Sequence, residues 1–172
     1  MKKTEKKPLV AVLMGSDSDL PVMSETTRML GEFGIPCEME ISSAHRTPKR
    51  TAEYARNAAG RGIRVIVVGA GGAFHLGGVV AAATTLPVVA VPLANSPLGG
   101  FDALLASVQM PGGIPVAVMA VGKAGAVNAA IFAAQILALS DGNLRRRLAR
   151  HKQSMASQVI QKSARLRKEL GR

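Results

Sequence analysis

The segment Ser43-Ala44-His45-Arg46-Thr47-Pro48 sets a proton carrier beside a permanent cation. An imidazole exchanges its proton near neutral pH, and a guanidinium grips phosphate or carboxylate through a planar fork of N–H groups. Together they suit acid–base chemistry on an anionic small molecule. The same six residues also read as a plain helix start, with Thr47 as N-cap and Pro48 at the first helical position; His45 and Arg46 are then ordinary loop residues. On these residues alone both readings stand.

Two further loops carry usable chemistry. Gly15-Ser16-Asp17-Ser18-Asp19 offers backbone amides, two hydroxyls and two carboxylates. The amides and serines suit a phosphate ester, whereas a carboxylate repels phosphate and suits a ribose diol, the role that falls to Asp19. Helix capping by Ser18 or Asp19 explains the same residues equally well. Gly69-Ala70-Gly71-Gly72-Ala73-Phe74-His75-Leu76-Gly77-Gly78 is a bare stretch that a flat ligand can approach closely. Its glycine spacing does not fit a dinucleotide fingerprint, and no Walker sequence follows Gly15. His75 can donate to a ligand or satisfy loop backbone groups. His151 lies among Arg150 and Lys152 and is left outside the chemistry. The three histidines are far apart in the chain and the lone Cys37 sits in a strand-like run, so no metal site is expected. No Gly-x-Ser-x-Gly elbow marks a serine nucleophile.

What must hold these loops is a repeated strand–loop–helix unit. Apolar, β-rich runs are expected at 9–14, 37–41, 63–68, 87–92 and 115–119, with helices after residue 19 to about Phe33, from Pro48, and near 124–139. Strands alternating with helices, several of them apolar throughout, imply an α/β fold: a three-layer, doubly wound parallel sheet covered on both faces. Ligands bind such sheets beyond the carboxyl ends of the strands, so the loops after strands one, two and three should converge. Residues 143–170 carry a narrow apolar stripe on a strongly basic background and read as a C-terminal helix that projects to pack on a neighbouring subunit.

The chain of 172 residues is expected to be a single domain: a basic tail at 1–7, an α/β body at 8–140 and the helix at 143–170. Its net charge of +11 is concentrated at the ends, where residues 1–7 carry four lysines against one glutamate and residues 143–172 carry ten basic residues against Glu169. Those ends could meet polyanions, yet Trp is absent and the aromatic residues are scattered, so no base-stacking platform is visible. No apolar run reaches membrane-spanning length and the N-terminus is not a convincing signal peptide; a cytoplasmic protein without membrane contact is expected.

In this order Met14–Asp19, Ser43–Pro48, Gly69–Leu76, Val108–Pro115 and Gly122–Ala130 resemble the N5-carboxyaminoimidazole ribonucleotide mutases of purine biosynthesis, the PurE family, over about residues 9–140. The resemblance implies a flavodoxin-like domain assembled as a homo-octamer, working without metal or organic cofactor. Its reaction would move a carboxylate from N5 of the substrate to C4 of the imidazole through bound carbon dioxide. His45 would carry the proton; Ser16, Ser43 and Arg46, with Ala44 beside them, would hold the 5′-phosphate end, Asp19 the ribose, and Ala70, Gly71, His75 and Leu76 the base and carboxylate. Phe74, where a small residue is usual, Gly77, where proline is usual, and Asn95-Ser96-Pro97 depart from the pattern. Arg46 favours the mutase class over a class that carboxylates aminoimidazole ribonucleotide directly and commonly has lysine there. The alternatives are that direct carboxylase and a non-catalytic nucleotide- or nucleic-acid-binding module.

Overall fold

A computed structural model describes residues 7–171, so residues 1–6 of the expected basic tail lie outside the described residues. Five parallel strands, β1 (Val10–Met14), β2 (Cys37–Ile41), β3 (Val65–Ala70), β4 (Val88–Pro92) and β5 (Ala117–Val118), form one sheet in the order β2-β1-β3-β4-β5. That order is the flavodoxin-like doubly wound arrangement, with its switch point where the chain leaves β1 in one direction for β2 and β3 flanks it on the other. Among the described residues six helices connect or extend the strands: α1 (Leu20–Glu32), α2 (Pro48–Arg61), α3 (His75–Ala82), α4 (Phe101–Val108), α5 (Lys123–Ala138) and α6 (Gly142–Glu169).

Alternation along the buried strands builds two cores. Val10, Val12, Met14, Val65 and Val67 face α1 and α5, while Ala11, Leu13, Ile66 and Val68 face α2 and α3. Both faces are covered, which is why β1, β3 and β4 are buried along their whole length. The small residues of α5 let it lie close: Ala126, Ala129, Ala130, Ala133 and Ala134 are fully buried, and the Thr26 hydroxyl on α1 donates to the Ala126 carbonyl at 2.9 Å.

Several boundaries differ from those expected. β3 runs two residues later than the apolar run suggested, because Gly69 continues the strand under Met23, whose sulfur would lie 2.2 Å from a Cβ there. α3 begins at His75, so the second half of the glycine-rich stretch is helix rather than loop. β5 shrinks to two residues, and α4 occupies a stretch that carried no helical signal. α6 is capped by Asp141, which accepts from the Asn143 and Leu144 amides at 2.8 and 3.0 Å; these bonds hold its carboxyl below the ordinary range. Only its first turns are anchored, through buried Leu144 and half-buried Leu148. The helix has 28 residues, roughly 42 Å at helical rise, and beyond the anchored turns it projects with Met155, Val159, Ile160 and Leu166 exposed.

Candidate active site

The loops after β1, β2, β3 and β4 meet over the switch point and enclose a cavity of about 560 Å³. Ser16, Asp19, Ser43, Ala44, His45, Arg46, Ala70, Gly71, His75 and Leu76 all line it. Each loop has its own reason to hold still.

In the first loop Asp19 stands at the N-cap position of α1, one of the two the sequence suggested, but its side chain makes no capping bond there; the side-chain cap is that of Ser16, one turn earlier. The Ser16 side chain accepts from the Ser18 amide at 3.3 Å, and the Asp19 carboxylate returns to the Ser16 amide at 3.0 Å, a reciprocal capping box around a short 3₁₀ turn at Asp17–Asp19. The other Asp19 oxygen accepts from the Asn95 side-chain amide at 2.8 Å. Asp19 is almost wholly buried, and burial raises its carboxyl above the ordinary value despite those hydrogen bonds. Its first task is therefore to join the β1 and β4 loops, and only lone pairs left over face the cavity.

The second loop is laced by hydroxyls. Thr47 stands at the N-cap of α2 but caps nothing: its hydroxyl donates to the Ser43 carbonyl at 3.0 Å and accepts from the Ser43 amide at 3.3 Å. Thr51 donates to the same carbonyl at 3.3 Å, and its hydroxyl pairs with that of Ser42 at 2.7 Å. Within this closed turn Ser43 Oγ accepts from the Arg46 amide at 3.1 Å and from Arg46 Nε at 3.4 Å, and the guanidinium reaches the Gly15 carbonyl at 3.4 Å. Arg46 is thus aimed along the first loop, and among the described residues no carboxylate lies within ion-pairing distance of it. A phosphate there would meet an uncommitted charge.

The third loop brings the two histidines together. His45 Nε2 lies 2.6 Å from His75 Nδ1, with ring centroids 4.9 Å apart and planes at 88°. One nitrogen must carry the proton that the other accepts, so the pair holds a proton between two imidazoles. The two histidines are 30 residues apart in the chain; the expected convergence of the loops after β2 and β3 brings them near, but the direct bond between their rings had no signal in the sequence. Among the described residues no group of three or more His, Cys, Asp or Glu could hold a metal ion.

Asn95, Ser96 and Pro97 from the fourth loop also line the cavity. Asn95 packs so closely on Gly71 that a Cβ there would fall 1.5 Å from its side-chain oxygen, so any larger residue at 71 would have to turn the Asn95 side chain away. The signal for Asn95 was its place after β4, since every carboxyl-end loop of such a sheet faces the ligand crevice.

Residues 9–158 match the AIR carboxylase family. A protein of Pyrococcus horikoshii named N5-carboxyaminoimidazole ribonucleotide mutase is 52% identical over 165 residues, spanning 96% of this chain and 92% of its own. The Bacillus subtilis protein of the same name is 49% identical over 160 residues, covering 93% and 99%. The crystal structure of Treponema denticola PurE superimposes with a TM-score of 0.84 at 28% identity over 92% of this chain and 98% of that one. With this sheet order, these loops and these relatives, the chain belongs to the AIR carboxylase family.

Proposed function

We propose that the carboxyl-end cavity converts N5-carboxyaminoimidazole ribonucleotide to 4-carboxy-5-aminoimidazole ribonucleotide, with His45 as the proton carrier. The observation that carries this reading is the His45–His75 contact beside an uncommitted Arg46 in one cavity, in a chain about half identical to proteins named for that reaction. Arg46, Ser43 and Ser16 take the 5′-phosphate, with Ala44 packed beside them. Asp19 accepts from the ribose with its remaining lone pairs, and Ala70, Gly71, His75 and Leu76 form the wall against the base and carboxylate.

The chemistry balances within the site. His45 gives a proton to N5 as the N–C bond breaks, leaving carbon dioxide and aminoimidazole ribonucleotide. Ring carbon C4 then attacks the carbon dioxide, and His45 recovers a proton from C4. The carboxylate changes place, the imidazole ends as it began, and His75 stabilises whichever protonation state His45 holds. Retaining carbon dioxide against the glycine-lined wall keeps the second step effectively unimolecular.

In this reading the whole chain is one domain that works as a cytoplasmic homo-octamer. Supporting surfaces are the exposed stripe of Phe101, Leu105 and Val108 on α4, beside Leu98, and the apolar positions of α6; sedimentation would measure the assembly. The functional test compares initial rates, without ATP, for the N5-carboxy substrate and for aminoimidazole ribonucleotide with bicarbonate. A mutase is much faster with the first; a clear preference for the second would move the assignment to direct carboxylation.

A further inference from the structure

Phe74 is the only described non-glycine residue with positive φ, at φ 51° and ψ 26°. An L-residue crowds its own Cβ against the backbone there, and such a conformation persists only where the surroundings over-determine it. The surroundings in this case are Gly77. A Cβ on Gly77 would lie 2.2 Å from Phe74 Cε1, 2.9 Å from Cδ1 and 3.1 Å from Cζ, so the ring lies directly on that glycine. The ring is 4% exposed and packed in the core with Ala70, Leu76 and Val80, which leaves it no room to yield. Phe74 also stands at the N-cap of α3 without any capping hydrogen bond from a side chain, so ring packing rather than a polar cap fixes the first turn of that helix.

His75 is the first residue of that turn. Its imidazole is exposed, and the hydrogen bond it makes is to His45 at 2.6 Å. The charged groups that share the cavity, Asp19 and Arg46, are bound to Ser16 and Asn95 and to Gly15 and Ser43, and neither holds His75. A displacement of the turn by about an ångström would carry the imidazole contact beyond hydrogen-bonding range. We propose that Phe74 is a positioning residue: locked over Gly77, its ring sets the first turn of α3 and so the approach of His75 to His45. This rests on His45 carrying the proton in the proposed reaction.

The test uses full-length protein labelled with ¹⁵N-histidine, in which His151, set against Phe33 with ring centroids 5.2 Å apart, serves as an internal control. In Gly77→Ala the new methyl strikes the ring; the His45 and His75 imidazole signals should move, His151 should stay, and kcat should fall about tenfold or more with KM changed less than about threefold. Phe74→Ala removes the ring, and in the double variant Gly77→Ala should add no further loss. Unmoved His45 and His75 signals, or two defects that simply multiply, would overturn the proposal. If Gly77→Ala does not fold, Phe74→Leu poses the same question: displaced pair signals support the interlock, and unmoved pair signals in a folded variant overturn it. A His45→Asn enzyme with native turnover would instead defeat the catalytic reading, while the signal displacements in the other variants would still report the interlock.

Discussion

The two ends of the sheet carry cavities of similar size and opposite character. The carboxyl-end cavity holds about 560 Å³ and gathers His45, His75, Arg46, Asp19 and Asn95. The amino-end groove is larger, about 700 Å³, but is walled mainly by Leu9, Ile35, Pro36, Leu86, Pro87, Ile136 and Leu137. Two arginines at this end are already employed on helix ends. Arg147, which lines the groove, donates to the Phe33 carbonyl at the end of α1, and nearby Arg145 reaches the Ala138 and Leu139 carbonyls, at 3.3 and 3.4 Å, at the end of α5. A parallel α/β sheet sorts its helices this way: their amide ends gather near the carboxyl ends of the strands and their carbonyl ends near the amino ends. Arginine at one end closes helix termini; at the other Arg46 closes none, and it lines the cavity with its guanidinium bonded to the Ser43 hydroxyl and the Gly15 carbonyl. Volume does not identify the site; convergent uncommitted polar groups do.

Substitutions at the two ends should therefore part company. The largest effect is expected for His45→Asn, with kcat lowered by about 10²–10⁴ and ribonucleotide affinity held within a few-fold, read by steady-state rates and calorimetry. Near the amino end, Leu144→Ala should remove about 2–5 kcal/mol of stability in urea unfolding, because Leu144 is buried, while turnover per folded molecule stays native. Arg46→Ala should raise KM by about 10- to 100-fold, the loss of a charged hydrogen-bonding partner worth about 1.5–3 kcal/mol. Arg64→Ala, in the amino-end groove, should leave kcat and KM within about twofold; a larger loss would erase the contrast between the ends.

The smallest effect concerns pH. Burial raises the Asp19 carboxyl, so the native state holds its proton more tightly than the unfolded chain does. That contribution to stability is fully present below the ordinary carboxyl value of 3.8 and is lost as pH rises through the higher folded value. The stability of the native chain relative to Asp19→Asn should therefore improve on acidification across that window. A difference that stays flat would show that the hydrogen bonds from Ser16 and Asn95 cancel the burial.

Much of this was legible in the chain. The apolar runs gave the parallel sheet, and the convergence of Ser16, Ser43, His45 and Arg46 followed from the rule that strands of one sense place their following loops together. What stayed hidden depended on distance and direction in space. His45 and His75 meet only because α3 starts at His75, and a glycine-rich run gives no sign of where a helix begins. Asp19 reads as a ligand group alone, and that it also joins two loops is seen only in its burial and its bond to Asn95. α4 is too short, at eight residues, to show a helical period, and its stripe of Phe101, Leu105 and Val108 faces outward. Phe74 and Gly77 stood out as unusual neighbours, but that one fills the space the other leaves is a fact of packing.

The most direct measurement follows the carboxylate itself. N5-carboxyaminoimidazole ribonucleotide labelled with ¹³C in the carboxylate, turned over by the native enzyme in excess unlabelled bicarbonate, should give a product that keeps most of its label at C4. A product whose carboxylate has the isotopic composition of the bicarbonate pool would contradict transfer within a closed site built around His45.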